Sequence, residues 1–345
     1  MKKPVKKRHK TKLRPWVKFS IWAIVLLIVF AVLGYVMSIL TEYQHNELDE
    51  SNLGIQESVK DDGASDIVNI ALFGVDRRGD EKQVHSDSIM ILSVDKQHNK
   101  IKLSSLMRDM YVKIEDHGQT KLTQAYFYGG PQLAVKTINE NFGTNITEYA
   151  TINFDGMAQI VDAVGGVPID VSEEERLAAN ENIEEQAIVA GLGEDYIQKA
   201  GMQTLNGTQA VAYARIRKVG NADFDRTERQ RIVMRALFEK ALAMNPVSYP
   251  EFARKTLPYV ETSVDIGEVL SLCGIMLRDV SMEEMRIPLN CQLIGKGTIY
   301  DTLGQQCLHV DLQSASDAWR AFVYDDVSPE TLAQSDVFVS GSKQE

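Results

Sequence analysis

Ser20 to Leu40 is a run of 21 residues without a single charge, rich in Ile, Val, Leu and Phe. As a helix rising about 1.5 Å per residue it would extend about 30 Å, the depth of a bilayer's hydrocarbon core. Nine of the 37 Lys and Arg residues precede it, between Lys2 and Lys18, with no acid among them. That asymmetry predicts a basic cytoplasmic tail at 1–18, a single transmembrane signal anchor at 19–40, and export of everything that follows. A cleaved signal peptide is the competing reading. The apolar stretch is long for one, however, and no clean small-x-small site follows it.

Beyond the tail the chain holds 28 basic against 48 acidic residues, a net charge of −20. Bulk repulsion then opposes non-specific nucleic-acid binding. Cys273, Cys291 and Cys307 are the three cysteines. They allow one bridge and a free thiol, or three thiols. They lack zinc-ligand spacing.

Residues 41–65 hold seven acids and one lysine with almost no apolar periodicity, and read as an extracellular stalk. Ile67–Phe73, Ser88–Val94 and Lys100–Leu106 are strand-like runs. Pro131–Phe142 reads as a helix with Pro131 in its first turn, and Phe154–Val164 as a helix between strands at Tyr149–Asn153 and Val167–Val171. Residues 172–201, with eight acids and only Arg176 and Lys199 as bases, read as a helical surface insertion. Leu205–Tyr213 is a helical stretch, and Thr227–Met244 a long helix with Val233, Leu237, Ala241 and Met244 on one face. Strands alternating with helices predict an α/β domain over 66–245, a three-layer α-β-α arrangement around a central mixed sheet. Residues 246–345 form a C-terminal extension of unassigned role that could pack on that domain.

Four segments carry candidate chemistry. Gly74-Val-Asp76-Arg77-Arg78 ends a buried strand, and His85-Ser-Asp87-Ser88 opens the next. Met107-Arg108-Asp109 follows the third strand, and Lys121 stands shortly after. Arg215, Arg217, Arg226, Arg229 and Arg231 then crowd into seventeen residues. Acids and arginines recur where strands give way to loops, the usual place for ligands in open α/β sheets.

A guanidinium fork fits phosphate oxygens two at a time and keeps its charge. Asp76 and Asp87 are hard oxygen ligands of the kind that hold Mg²⁺ or Mn²⁺ when phosphate completes the shell. Each could instead cap a turn, and Arg108 could simply pair with Asp109. Arg215 and Arg217 would lie on one side of an extended segment. Arg226, Arg229 and Gln230 share a face at the start of the long helix, whose N-terminus favours anions. Taken alone, that face could be solvated and balanced by Asp223, Asp225 and Glu228. No phosphate-binding glycine loop ending in Lys-Ser/Thr occurs, and no Gly-x-Ser-x-Gly elbow.

In this order, behind one anchor, these segments resemble the LytR-CpsA-Psr family of bacterial cell-envelope proteins, over roughly Asp66 to Met244. The resemblance implies a phosphotransferase that moves a glycopolymer, such as teichoic acid or capsular polysaccharide, from an undecaprenyl-diphosphate carrier to peptidoglycan. It implies Asp76 and Asp87 as metal ligands for Mg²⁺. It places Arg78, Arg108, Lys121, Arg215, Arg217, Arg226 and Gln230 around the diphosphate. Among these, Asp76, Arg108, Arg215 and Arg217 are the expected catalytic group, and Arg78, Lys121, Arg226 and Gln230 the expected diphosphate binders. Met107 stands where many relatives carry proline.

Phosphoryl transfer asks of a protein in-line positioning and stabilisation of charge on the equatorial oxygens. One acid, with Asp76 the candidate, would accept the proton of the attacking hydroxyl. A polyprenyl tail would need an apolar tunnel, with the faces of 131–142 and 227–244 as candidate walls. Two competing readings stand beside the transferase. One is a hydrolase of the lipid-linked diphosphate, and the other a non-catalytic protein that binds an envelope polyanion.

Overall fold

The structure, a computed structural model, describes residues 44–59, 67–77, 83–190, 195–275 and 278–334. The expected tail and anchor at 1–18 and 19–40 lie outside the described residues, as does Arg78. Among the described residues no helix is long and apolar enough to cross a membrane.

Strand β1 (Gln44–His45) is followed by three strands, β2 (Ile67–Val75), β3 (Ser86–Asp95) and β4 (Lys100–Leu106), that pair antiparallel in succession. The hairpin β5 (Tyr111–Ile114) and β6 (Gly118–Lys121) leads into helix α1 (Thr123–Phe142). Next come β7 (Glu148–Asn153), α2 (Phe154–Ala163), β8 (Val167–Val171) and α3 (Glu173–Ala190). β9 (Gly201–Leu205), α4 (Gly207–Ala214) and α5 (Ala222–Leu242) continue the chain. The C-terminal region adds α6 (Tyr249–Thr256), β10 (Val260–Thr262), α7 (Ile266–Ile275) and β11 (Ser281–Ile287). It closes with the hairpin β12 (Leu293–Tyr300) and β13 (Gln306–Val310), then α8 (Leu312–Val323) and α9 (Pro329–Gln334).

Seven strands form one mixed sheet in the order β1-β10-β7-β2-β3-β4-β11. Side-chain alternation gives it two apolar faces. Ala71, Phe73 and Val75 of β2 join a core with Val135 and Ile138 of α1 and Trp319 and Phe322 of α8. Leu72 and Gly74 face the other way, toward α2, α4 and α5. A second core joins β8, β9, α3, α4 and α5 around Val167, Ile183, Leu205 and Val233. Within it Gly207 lets α4 approach α2 closely, since a Cβ there would lie 2.1 Å from the Ala158 carbonyl oxygen.

Several expectations from the sequence change here. Residues 44–59 are not a stalk, because β1 pairs with β10 and Leu53 is buried in the main core. Asn139 Nδ2 donates to the Leu53 carbonyl at 2.8 Å and Lys136 Nζ to Asn52 Oδ1 at 2.6 Å. Leu53, with Leu48 and Ile55 packed against the same core, and a few long-range hydrogen bonds dock the segment, and their spacing leaves no periodic trace. Likewise, the chain does not divide into separate bodies at position 245, because β10 and β11 are strands of the central sheet.

The acidic stretch 172–201 is helical, but it is more than a surface insertion. Ala179 and Ile183 of α3 are fully buried in the second core. Ser172 and Glu175 cap the helix start reciprocally, with backbone-to-side-chain distances of 3.0 and 3.2 Å. Finally, α1 begins eight residues before Pro131. Gly129 and Gly130 leave helical geometry (Gly130 at φ 61°), so a first helical stretch precedes the kink and the segment expected from the sequence follows it.

Candidate diphosphate and lipid site

β2 and β7 run parallel, as do β4 and β11, and their C-terminal ends meet along one edge of the sheet. Asp76 directly follows β2, and Met107-Arg108-Asp109 directly follows β4. β3 runs the opposite way and starts at that edge. Its pairing with β2 slips there: Gly74 lies opposite Ser88 but Val75 opposite Ser86. Asp87 is therefore the extra residue of a bulge, a device that re-aims a side chain at a sheet edge.

Arg108 Nη1 donates to Asp87 Oδ1, and Arg217 Nη2 lies 3.9 Å from the same oxygen. Lys121 Nζ is 3.0 Å from Asp109 Oδ1, while Arg108 Nε is 3.9 Å from it. These groups and Asp76 line a polar cavity of about 430 Å³. Asp76, Asp87, Arg108, Lys121 and Arg217 are thus brought together from separated stretches of sequence.

Arg226 lies near Arg108, Arg217 and Asp87 without lining that cavity, 3% exposed in the first turns of α5. Burial lowers its pKa to about 10, and the neighbouring charges of Arg108 and Arg217 push in the same direction. Asp223, at 3.1 Å, answers only some of its charge. Its Nε and Nη1 are buried with no hydrogen-bond partner among the described residues. A buried cation with idle donors costs stability unless a ligand answers it. The complementary ligand is an anion with several oxygens.

The other arginines of the cluster separate. Arg215 caps the C-terminus of α4 with αR backbone (φ −93°, ψ −5°), so it does not share an extended segment with Arg217. Its guanidinium lies 5.0 Å from the centre of the Phe154 ring and does not line the polar cavity. Arg229 is no solvated neighbour. Buried, it bonds Glu175 at 2.9 Å and the carbonyls of Ile216 and Val219 at 3.3 and 3.1 Å, clamping the loop that carries Arg217. Arg231 is also largely buried, and burial lowers its pKa.

A second, apolar cavity of about 360 Å³ lies between the sheet and helices α2, α4 and α5. Leu72 and Met90 of the sheet, Phe154 and Met157 of α2, and Val233 and Leu237 of α5 are among its walls. Gln230 borders this cavity, not the polar one. Of the two faces expected to wall a tunnel, that of 227–244 does so. The face of 131–142 does not, because Val135, Ile138 and Phe142 are committed to the main core. The wall that the sequence did not disclose is α2 with α4. The two cavities border consecutive residues of the bulge, Ser88 lining the apolar one and Asp87 the polar one.

Among the described residues no group of three or more His, Cys, Asp or Glu could hold a metal ion by itself. Two of the cavity's three carboxylates, Asp76 and Asp87, fit the alternative, a hard divalent cation whose remaining ligands are phosphate oxygens and water. Cys291 and Cys307 are free thiols, and burial pushes Cys307 up to about 11, leaving it inert.

Sequence reading missed Gln83, Gln124 and Gln305, which also line the polar cavity. Gln305 comes from the β12–β13 hairpin, far along the chain, and nothing local marks it.

Known proteins are similar to this chain in sequence and fold. The chain is 34% identical over 209 residues to the regulatory protein MsrR of Staphylococcus aureus strain COL, covering 60% of this chain and 58% of that protein. It is 27% identical over 356 residues to the polyisoprenyl-teichoic acid–peptidoglycan teichoic acid transferase TagU of Oceanobacillus iheyensis, covering 99% and 98%. Two solved structures superpose on most of the chain. "TagT bound to LI-WTA" does so with a TM-score of 0.64 at 22% identity, covering 81% of this chain and 99% of that one. A second, YwtF (TagT) with bound octaprenyl pyrophosphate lipid, gives a TM-score of 0.60 at 21% identity, covering 81% and 99%. At these identities the structures show a shared mixed α/β fold. The model of the LytR_cpsA_psr family matches residues 34–315, reaching well past Met244 into the C-terminal strands, and the chain belongs to that family.

Proposed function

We propose that this chain is a membrane-anchored phosphotransferase that moves a glycopolymer from a polyprenyl-diphosphate carrier onto peptidoglycan. One observation carries the reading: a polar cavity lined by Arg108 and Arg217 and an apolar cavity border consecutive residues of the bulge, Asp87 and Ser88. An amphiphile with a doubly phosphorylated head and a hydrocarbon tail matches that pair, whereas a water-soluble polyanion would leave the apolar cavity without purpose. TagU, similar along nearly the whole chain, is a teichoic acid transferase by name. The apolar segment at Ser20–Leu40 supports an anchor with the domain outside the cell.

In this mechanism Arg108, Arg217 and Arg226 bind the diphosphate, and Lys121 adds charge from beside Asp109. An acceptor sugar hydroxyl attacks the phosphorus nearer the glycan. The new P–O bond forms as the bridging P–O bond breaks, so the glycan leaves as a phosphodiester on the acceptor and polyprenyl monophosphate remains. Asp76 accepts the hydroxyl proton. The guanidiniums stabilise charge on the equatorial oxygens and on the departing phosphate. Asp76 and Asp87 would hold Mg²⁺ or Mn²⁺, which when bound supplies Lewis-acid neutralisation of the phosphates. The apolar cavity fixes the first isoprene units and so the position of the phosphorus.

The test uses the full chain in detergent micelles with a lipid-diphosphate-linked glycan, peptidoglycan and Mg²⁺, following products by mass. Linked glycan that vanishes in Asp76→Ala and Arg108→Ala supports transfer. Free phosphorylated glycan with no coupling would make the protein a hydrolase. Tight binding without turnover would make it a polyanion-binding protein.

A further inference from the structure

The polar cavity has a second chemistry. Its lining also includes three neutral side chains, Gln83, Gln124 and Gln305. Among the described residues, none of the three side-chain amides has a hydrogen-bond partner. Gln305 and Gln124 sit on backbone that the site itself pins. Asp301 Oδ1 accepts from the backbone N–H groups of Leu303 and Gln305 at 2.9 and 2.8 Å, and its Oδ2 from Thr120 Oγ1 at 2.7 Å. Thr120 is the residue before Lys121. Leu308 N donates to the Asp109 carbonyl at 2.7 Å, locking the same hairpin onto the loop that carries Arg108. Gln124 follows Thr123, whose hydroxyl donates to the Ser86 carbonyl at 2.9 Å, beside Asp87.

A primary amide offers two donors and one acceptor without charge. It matches hydroxyl groups, which both donate and accept, better than phosphate oxygens, which only accept. At Gln124 and Gln305, idle amides on a pinned backbone form a recognition surface that loses little conformational entropy on binding. The polar cavity thus presents neutral amides as well as guanidiniums.

We propose that Gln83, Gln124 and Gln305 form a carbohydrate subsite that binds the hydroxyls of a pyranose next to the diphosphate. This rests on the phosphotransferase reading and deepens it. The pyranose is either the donor sugar joined to the diphosphate or the acceptor sugar that attacks it, since both present the same chemistry there. Gln305 brings the C-terminal hairpin, which lies outside the four arginine- and acid-bearing segments, into substrate selection.

The experiment compares the full chain with its Gln124→Ala, Gln305→Ala and double variants in detergent micelles. Three probes are used: bare undecaprenyl diphosphate, undecaprenyl-diphosphate-linked N-acetylglucosamine, and a soluble peptidoglycan disaccharide as acceptor. Thermal midpoints should be unchanged, because the amides hold no internal bond. A donor subsite weakens the sugar-bearing lipid about ten-fold or more, as loss of one or two hydrogen bonds does, while bare lipid keeps its affinity. An acceptor subsite instead raises the KM for the disaccharide by a similar factor with both lipid affinities unchanged. Donor affinity and acceptor KM both within about two-fold of the unsubstituted chain would overturn the proposal. Failure of the unsubstituted chain to bind bare lipid diphosphate would overturn the phosphotransferase reading and this proposal with it.

Discussion

Arg108 donates a hydrogen bond to Asp87, tying the residue after β4 to the bulge that opens β3. The pair joins the cavity's arginines to one of its two candidate metal ligands. A diphosphate entering this cavity meets a guanidinium already oriented by a carboxylate, so little side-chain freedom remains to be lost on binding.

Arg226 separates stability from activity. Its charge is buried and two of its donor nitrogens are idle, so it costs the free protein stability. Arg226→Met should leave the thermal midpoint unchanged or raise it, while transfer falls by about 10²–10³-fold. A clear drop in the midpoint would show that Arg226 is a structural residue instead.

The apolar cavity should measure prenyl length. Met234 lines it on α5, and Met234→Trp would fill much of its volume. Affinity for undecaprenyl diphosphate should fall about ten-fold, while a short geranyl diphosphate, needing little of the cavity, keeps its affinity. Equal losses for both lipids would mean that the tail lies elsewhere.

Leu53 tests whether residues 44–59 belong to the domain. It is 1% exposed within the main core, so Leu53→Ala should cost about 2–4 kcal/mol in denaturant unfolding. A true stalk would show almost no change. For the same reason, a chain begun at residue 66 should be markedly less stable than one begun at 44.

Acid should loosen the C-terminal helix α8 through Asp326. Hydrogen bonds from Lys100 and then Lys102 hold its carboxyl down at about 2. A depressed carboxylate contributes stability that is fully present above its unfolded pKa of about 3.9 and lost as pH falls toward 2. Its side chain is 42% exposed, so screening limits the contribution to about 1 kcal/mol. Asp326→Asn should therefore flatten the dependence of unfolding free energy on pH between about 4 and 2. An unchanged slope would assign acid sensitivity to other groups.

Much of the site is legible in sequence because its chemistry sits at element boundaries. Asp76 and Arg108 follow apolar runs that can only be buried strands, and Arg226 opens a helix with a clear apolar stripe. Arg215 and Arg229 are harder to read. Each has an arginine's chemistry, but their partners, Phe154, Glu175 and the carbonyls of Ile216 and Val219, are set by packing between distant elements. The bulge at Asp87 arises from pairing register, which no local pattern encodes. Leu53 and Gln305 belong to the same class, single residues placed by contacts far along the chain.

The central claim is best tested by stoichiometry. With lipid-diphosphate-linked glycan and peptidoglycan supplied together, polyprenyl monophosphate and peptidoglycan-linked glycan should appear one for one. Monophosphate accumulating without linked glycan, or neither product appearing while the lipid binds tightly, would contradict the phosphotransferase account.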